Sequence, residues 1–256
     1  MPEGHTIHRL ARSLAELVGH RVRAASPQGR FPADAVDGAR VEDVDAVGKH
    51  LLIDTAAGRT VHVHLGMRGK WLRFSPVTGA PLRQVRLRLA TPDVAWDLIA
   101  PSRCELLTLG DRSALVGRLG PDPLRPDAEA AEAARRLRSF RGPVGAALLD
   151  QGVIAGVGNV FRAEALHACR IAPTRAARDP SEADAGRLWA VLTRMMTRAV
   201  EDGRIVTVDA EDRLAVPEDR ARRVYKQDAC RDCGTPVVTA EVGGRTSYSC
   251  PLCQPS

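Results

Sequence analysis

The stretch Gly152-Val153-Ile154-Ala155-Gly156-Val157-Gly158-Asn159 lies between two segments with helical periodicity, 143–150 and 159–169. Three glycines in seven residues predict a tight turn between two helices, because glycine adopts backbone angles that other residues avoid. Such a turn also lets backbone amides approach an anion, and the start of the second helix adds partial positive charge. The residues alone leave two interpretations open: an anion-binding turn, or an ordinary turn in which Asn159 caps the helix.

Further helical patterns flank this turn, over 127–140 and 181–202. Ahead of them stands Gly120-Pro121-Asp122-Pro123-Leu124-Arg125-Pro126, whose three prolines cannot continue a helix or a strand. We therefore predict a domain boundary there, with 121–126 as a linker and a helical domain over 127–223.

The chain before this boundary follows a different pattern. One helix is predicted over 5–18 from apolar residues at helical spacing, and short strands separated by glycine, proline and aspartate turns follow it. The predicted strands are 22–26, 41–47, 49–55, 60–65, 70–74, 84–90, 94–98 and 104–109. Many short strands are typical of a β-sandwich or barrel, so we predict a first domain over 1–120.

The cysteines give the strongest local signal. Two pairs, Cys230-x-x-Cys233 and Cys250-x-x-Cys253, have the spacing of a four-cysteine zinc site. Between them, 237–240 and 246–248 read as two strands joined by a Gly243-Gly244 turn, with Arg245 beside the glycines, where it can reach a phosphate or a groove. Four thiolates fill the shell of one zinc ion, so the predicted role is structural, and 224–256 is predicted as a zinc finger.

Charge and composition restrict the classes of function. The formal net charge is +6 and the pI is about 9.3, which favours a polyanionic partner. The sequence has no apolar run long enough for a membrane span and no signal-peptide pattern, and its cysteines do not form a disulfide framework. We expect a cytoplasmic protein outside the membrane.

The chain begins Met1-Pro2-Glu3-Gly4-His5. Removal of Met1 would leave a secondary amine on Pro2, and an α-amino group titrates at about 7.7–8.0, against about 10.4 for lysine. Such an amine can attack a carbonyl-like carbon while a neighbouring carboxylate moves protons. The alternative is that Pro2 only favours methionine removal and that Glu3 stabilises the first turn of a helix.

Three further positions allow two interpretations each. Lys49 follows Gly48 at the head of a strand, where a lysine is most often simply solvated. Met67 and Arg68 form a loop tip that would suit insertion into a base stack, although Met67 could equally fold back into the core. The pair His62 and His64 is predicted to be ordinary strand residues, because no third metal ligand lies nearby in sequence.

These features occur together in one family. The sequence resembles the formamidopyrimidine-DNA glycosylase and endonuclease VIII family of base-excision repair enzymes. The stretches that carry the resemblance are 1–5, 48–51, 64–67, 152–164, 224–226 and 244–254. It implies an α+β, multidomain fold: an N-terminal helix plus an eight-stranded β-sandwich that is the catalytic domain, a helical helix-two-turn-helix domain, and a C-terminal zinc-ribbon hairpin.

The resemblance also implies a covalent mechanism. The Pro2 nitrogen would attack C1′ of a damaged nucleotide and displace the base, and the resulting iminium would allow β,δ-elimination of the strand. Glu3 would move protons at the sugar, and Lys49 would take part in catalysis as well as hold a phosphate.

The remaining implied roles concern binding. Asn159 and Arg245 would hold phosphates around the lesion, and Met67 with Arg68 would fill the gap left when the nucleotide leaves the stack. The implied partner is damaged double-stranded DNA, bound by a monomer that is associated with the bacterial nucleoid through this DNA.

Two departures from the 8-oxoguanine branch of the family favour the endonuclease VIII branch. Gly4 stands where that branch has leucine, and 97–104 lacks its Arg-Phe-Gly motif, so oxidised pyrimidines are the expected substrates. We therefore predict a bifunctional glycosylase and lyase. The alternatives are a non-catalytic damaged-DNA or abasic-site binding protein of the same fold, and a zinc-ribbon nucleic-acid-binding module unrelated to repair.

Overall fold

The computed structural model describes residues 2–77 and 79–255, and their contacts divide into two compact units. The first contains Ile7–Arg118 with Pro2 and Glu3, and the second contains Gly4–Thr6 and Leu119–Ser256. The finer division at 120, 126 and 223 stays a prediction. Among the described helices, none has the length and apolar character needed to cross a membrane.

Helix α1 (Gly4–Leu14) opens the chain and continues as a 3₁₀ turn, Ala15–Leu17. Its apolar residues recur every three or four positions, so they lie on one face. Ile7, Leu14 and Leu17 are at most 1% exposed and belong to the core of the first unit. The helix predicted over 5–18 is confirmed.

Two antiparallel sheets build the rest of the first unit, with the strand orders β1-β6-β7-β5 and β2-β3-β4-β8. The strands are β1 Arg23–Ala25, β2 Val41–Val47, β3 His50–Thr55, β4 Arg59–His64, β5 Lys70–Phe74, β6 Val85–Ala90, β7 Ala95–Ile99 and β8 Arg103–Leu107. One apolar core takes side chains from both sheets, such as Leu51 from one and Leu87 from the other. The predicted sandwich is confirmed.

Helix α2 (Leu109–Gly117) was not expected from the sequence, which predicted a strand as far as 109. Thr108 and Asp111 form a capping box that starts the helix, and Arg112 pairs with Asp54 at 3.0 Å. None of its residues is buried, so the apolar periodicity that normally reveals a helix is weak.

The second unit is helical. Its helices are α3 Ala130–Ser139, α4 Val144–Ala147, α5 Asn159–Ala168 and α6 Glu182–Asp202. Helix α6 begins with a Ser181–Asp184 capping box and ends at Gly203, whose φ of 73° places it in the left-handed region. These helices share one apolar core, with the fully buried Phe161 of α5 in it.

A two-stranded hairpin follows, formed by β9 (Val238–Val242) and β10 (Arg245–Ser249). Gly243 and Gly244 have φ of 64° and 68°, as both central residues of a type I′ turn require. A Cβ on Gly243 would lie 3.0 Å from the Cα of Ala146 in α4, so the turn packs closely on that helix. The predicted hairpin and its glycine turn are confirmed.

Candidate active site and nucleic-acid interface

Pro2 and Glu3 immediately precede α1. Glu3 is the N-cap residue, with extended backbone angles, and its side chain is buried, whereas Pro2 is half-buried. The next residue, Gly4, donates its backbone N–H to the carbonyl of Gly156 at 2.8 Å. A Cβ on Gly4 would lie 2.9 Å from the Cα of Gly156, so this position has no room for a side chain. Met1, whose removal the predicted mechanism requires, lies outside the described residues.

Lys49 is half-buried in the two-residue turn between β2 and β3. Gly48 precedes it with φ of 59°, an angle that favours glycine, and so sets the course of the turn. Val47 pairs with His50 across this turn, which fixes Lys49 at the tip of a tight hairpin. The half-buried position differs from that of a fully solvated lysine.

A histidine cluster lies beside this turn. His50 Nδ1 is 2.9 Å from His62 Nε2, and His62 Nδ1 is 2.8 Å from a carboxylate oxygen of Glu105. The ring of His64 lies 5.3 Å from that of His50, its cross-strand partner. His50 therefore lies near the pair 62 and 64 in space, although it is twelve residues from His62 in sequence. The metal-ligand grouping found among the described residues nevertheless consists of the cysteines, not of this cluster.

Burial lowers the pKa of all three histidines of this cluster, and it lowers that of His50 to about 3. The neighbouring histidines and the cations Arg103 and Lys49 lower it further. The folded protein therefore holds His50 neutral, whereas the unfolded chain protonates it near its ordinary value of 6.5.

We expect the free energy of unfolding to fall as the pH drops from about 6.5 towards 3. In that window the unfolded chain binds a proton that the folded His50 refuses, at up to about 1.4 kcal/mol per pH unit. Denaturant titrations of His50→Gln between pH 7 and 4 should give a shallower decline than the wild-type protein. The exposed His20→Gln is the control and should follow the wild type. Equal slopes for His50→Gln and wild type would contradict this assignment.

The loop 65–69 joins β4 to β5 and has a buried base and an exposed tip. Leu65 and Gly69 are buried, and the Leu65 carbonyl accepts the Gly69 N–H at 3.0 Å. Met67 at the tip is 72% exposed, and Arg68 beside it is exposed as well. Met67 therefore does not fold back into the core.

The first residue of α5 contacts the hairpin. Asn159 is 8% exposed, and its side-chain amide donates to the carbonyl of Thr246 at 2.9 Å. Arg245, the residue before Thr246, is exposed. The two predicted phosphate contacts of the second unit are thus neighbours in space, although they are 86 positions apart in sequence.

Arg162, one turn further along α5, is completely buried. Its guanidinium donates to the carbonyls of Val242 at 2.7 Å and Thr246 at 2.9 Å, with a longer bond to Gly145 at 3.4 Å. These carbonyls belong to β9, β10 and α4, so one side chain connects the hairpin with two helices.

Glu164 is also completely buried on α5. Its carboxylate accepts three consecutive backbone N–H groups, from Arg223 at 2.8 Å, Val224 at 3.0 Å and Tyr225 at 2.8 Å. It also accepts the hydroxyl of Thr207. One carboxylate therefore binds both ends of the charged segment that runs from Thr207 to Arg223.

The four cysteines form one cluster in which all Sγ atoms lie within 4.8 Å of one another. The Sγ atom of Cys233 lies 3.5 Å from the Sγ atoms of Cys250 and Cys253. The Sγ atom of Cys230 lies 3.9 Å from that of Cys253. Tetrahedral zinc with Zn–S bonds of about 2.3 Å places its sulfurs about 3.8 Å apart, so the cluster fits this ion.

Two influences act on these thiols. Burial raises the pKa of Cys230 and Cys253, whereas hydrogen bonds between Cys233 and Thr235 lower that of Cys233 to about 6. Four thiolates in contact would repel one another, so a dication is needed to keep all four ionised. His167 of α5, which is not one of the four clustered residues, also contacts the cluster: its Nε2 lies 3.3 Å from Cys230 Sγ.

Three protein families match successive parts of the chain. Residues 1–100 match the formamidopyrimidine-DNA glycosylase N-terminal domain, and 119–210 match the formamidopyrimidine-DNA glycosylase H2TH domain. Residues 228–255 match the zinc finger found in FPG and IleRS.

Full-length relatives agree with these matches. Endonuclease 8 1 of Mycobacterium tuberculosis is 41% identical, over 99% of this chain and 100% of its own length. The chain belongs to the formamidopyrimidine-DNA glycosylase family. Probable endonuclease 8 2 of Streptomyces coelicolor, another family member, is 33% identical, over 99% of this chain and 94% of its own. The crystal structure of MutM (Fpg) from Thermus thermophilus has a TM-score of 0.79 at 29% identity, covering 99% and 98% of the two chains.

In this member of the formamidopyrimidine-DNA glycosylase family, sequence patterns did not reveal Arg162 and Glu164, which connect helix α5 to the hairpin and to the segment 223–225. Apart from Gly145, the groups that Arg162 and Glu164 bind lie 43–84 positions away, so no local spacing points to these two residues. One signal was present: α5 carries polar residues among apolar ones, yet all of Asn159–His167 is buried. A buried helix with polar side chains must find partners for them.

Proposed function

We propose that this protein is a base-excision-repair glycosylase with abasic-site lyase activity, acting as a monomer on damaged duplex DNA in the bacterial cytoplasm, and that oxidised pyrimidines are its substrates. The observation that carries the proposal is full-length similarity to Endonuclease 8 1, combined with a Pro2-Glu3 start whose carboxylate is buried at the N-cap of α1. A protein that only bound DNA would not need an N-terminal amine.

The chemistry proceeds through the Pro2 nitrogen. Its lone pair forms a bond to C1′ while the bond from C1′ to the base breaks, and the base leaves with the bonding electrons and takes up a proton. The nitrogen then loses its proton, and its lone pair breaks the bond from C1′ to O4′, which takes up a proton as the sugar ring opens. The resulting iminium withdraws electrons from C2′, so loss of a C2′ proton expels the 3′ phosphate. Elimination of the 5′ phosphate follows in the same way. Glu3 is proposed to carry the protons. Lys49 is proposed to take part in catalysis and to hold a phosphate.

Phosphates on either side of the lesion are the proposed ligands of Asn159 and Arg245. Support comes from the contact between Asn159 and the Thr246 carbonyl, because Thr246 directly follows Arg245 in β10. One donor is neutral and the other is charged. Phosphate binding by arginine releases condensed counterions, whereas binding by an amide does not.

Trapping with borohydride tests the function directly. The protein is mixed with duplexes that carry an abasic site, an oxidised pyrimidine or 8-oxoguanine, and the reduced adducts are separated by mass. Adducts with the abasic and oxidised-pyrimidine duplexes, and weaker ones with 8-oxoguanine, are expected. Tight binding to abasic DNA without any adduct would instead favour the non-catalytic binder.

The salt dependence of DNA binding separates the two phosphate contacts. Arg245→Ala should weaken binding and reduce the slope of log K against log salt by about 0.9, the effect of one phosphate contact. Asn159→Ala should weaken binding without changing the slope, because the amide is uncharged. Arg245→Lys keeps the charge and should keep the slope. Fluorescence anisotropy with an abasic duplex between 50 and 200 mM salt measures all three. An unchanged slope in Arg245→Ala would exclude this phosphate contact.

A further inference from the structure

Two loops of the first unit lie side by side where the chain crosses between the sheets. One is 65–69, which joins β4 to β5 and carries Met67 and Arg68 at its tip. The other is 100–102, which joins β7 to β8. Ala100 in the second loop has φ of 47°, in the left-handed region that residues other than glycine rarely adopt. Such strain persists only where surrounding contacts hold it, and it is often found at functional sites.

Ser102 makes the contacts that hold the two loops together. Its hydroxyl lies 2.9 Å from both the carbonyl oxygen and the Nδ1 of His64, and its backbone N–H donates to the carbonyl of Leu65 at 3.3 Å. The same Leu65 carbonyl also accepts the Gly69 N–H, and that hydrogen bond closes the loop 65–69. Ser102 therefore binds the same acceptor as the bond that closes this loop.

On the side of the loop 65–69, this contact involves His64 and Gly66. His64 Nδ1 accepts the backbone N–H of Gly66 at 3.1 Å, so the imidazole ties the loop to the end of β4. A Cβ on Gly66 would lie 2.7 Å from the Cβ of Ser102, and Gly66 has φ of 66°. The backbone of the tip therefore lies directly against Ser102, and no side chain fits between them.

We infer that Ser102 is a positioning residue that holds the Met67–Arg68 tip in its projecting conformation. Met67 is 72% exposed although it is apolar, and Arg68 beside it is exposed as well. The bonds at the base of the tip, through His64, Leu65 and Ser102, hold its direction. This inference rests on the proposed function, in which the tip fills the gap left by the extruded nucleotide.

The test measures how well the tip occupies the gap. An abasic duplex carries 2-aminopurine opposite the lesion, and its fluorescence reports unstacking of that base when the tip enters. In Ser102→Ala, the amplitude at saturating protein should fall, and the rate of borohydride-trapped adduct formation should fall about three- to tenfold, the effect of one lost hydrogen bond. Gly66→Ala should act in the same direction, because its Cβ would displace Ser102.

Controls separate positioning from general destabilisation. Ser13→Ala removes another hydroxyl that bonds a backbone carbonyl in the first unit, at 3.1 Å from the Arg9 oxygen, and should keep the full amplitude. A variant that was only less stable would regain the full amplitude at saturation. In a Met67→Ala background, Ser102→Ala should add little, because the group it positions is gone.

Each outcome decides the inference. A reduced amplitude in Ser102→Ala that depends on Met67 supports it. A wild-type amplitude in Ser102→Ala at saturation overturns it, as does additivity with Met67→Ala. A wild-type protein that forms adducts without any fluorescence change would also overturn it, while leaving the proposed function intact. Absence of adducts from every form of the protein would instead contradict the proposed function.

Discussion

A chain that carries one extra residue ahead of Pro2 should form no borohydride-trapped adduct with abasic DNA. In that chain the proline nitrogen is part of a peptide bond, whose resonance removes the lone pair that would attack C1′. In the processed protein roughly a third of the terminal amine is unprotonated at pH 7.5, against about 0.1% of an ordinary lysine. Adduct yields are measured by denaturing electrophoresis after reduction, alongside fully processed protein.

Binding provides the control for this result. The extended chain should still bind the abasic duplex, because the proposed phosphate contacts Asn159 and Arg245 are unchanged. Glu3→Gln should keep the amine but lower the rate of strand cleavage by about 10²–10⁴, as expected for loss of a general acid or base. Adducts of equal yield from the extended and processed chains would show that the nucleophile is another amine, with Lys49 the first to examine.

Removal of the metal should have the second large effect. Apparent zinc-binding free energies in zinc-finger peptides are about 10–16 kcal/mol, comparable with the whole stability of an average domain. In Cys250→Ala the metal content should fall from one zinc per chain towards zero, and affinity for abasic duplex should fall by at least tenfold as the hairpin that carries Arg245 loses its order. Strong chelators should act in the same way on the wild-type protein.

Another buried cysteine supplies the matched control for the zinc site. Cys169 is 1% exposed but is not one of the four clustered thiols. Cys169→Ala removes a comparable volume and should keep one zinc per chain and unchanged DNA binding. A full zinc content in Cys250→Ala, measured by atomic absorption after exhaustive dialysis, would contradict a site made of these four thiolates.

The sequence predicted those elements whose signals are local. Alternation of apolar residues located every strand of the sandwich to within about two residues, and β2 agrees at both ends. The Gly243-Gly244 turn and the cysteine spacing predicted the hairpin and its metal, since a type I′ turn and a tetrahedral site each impose fixed residue types.

The sequence did not predict the elements that depend on exposed residues or on contacts between residues far apart in the chain. Helix α2 depends on a capping box and on Arg112 pairing with Asp54, rather than on a buried face. The histidine cluster depends on strand register, because His50 comes next to His64 only when β3 pairs with β4. The contact of Ser102 with Gly66 depends on two loops crossing between the sheets at the same end, which no local pattern encodes.

The bonds of Arg162 have a consequence for how the zinc finger can vary. This buried guanidinium recognises main-chain oxygens of Val242 and Thr246, and any residue could supply those oxygens. The contact therefore constrains the course of the backbone and itself makes no demand on the side chains at those two positions. A finger transplanted from another protein would be accepted if its carbonyls fell in the same places. A finger that shared many side chains but carried one inserted residue in the turn would leave a buried charge unmatched.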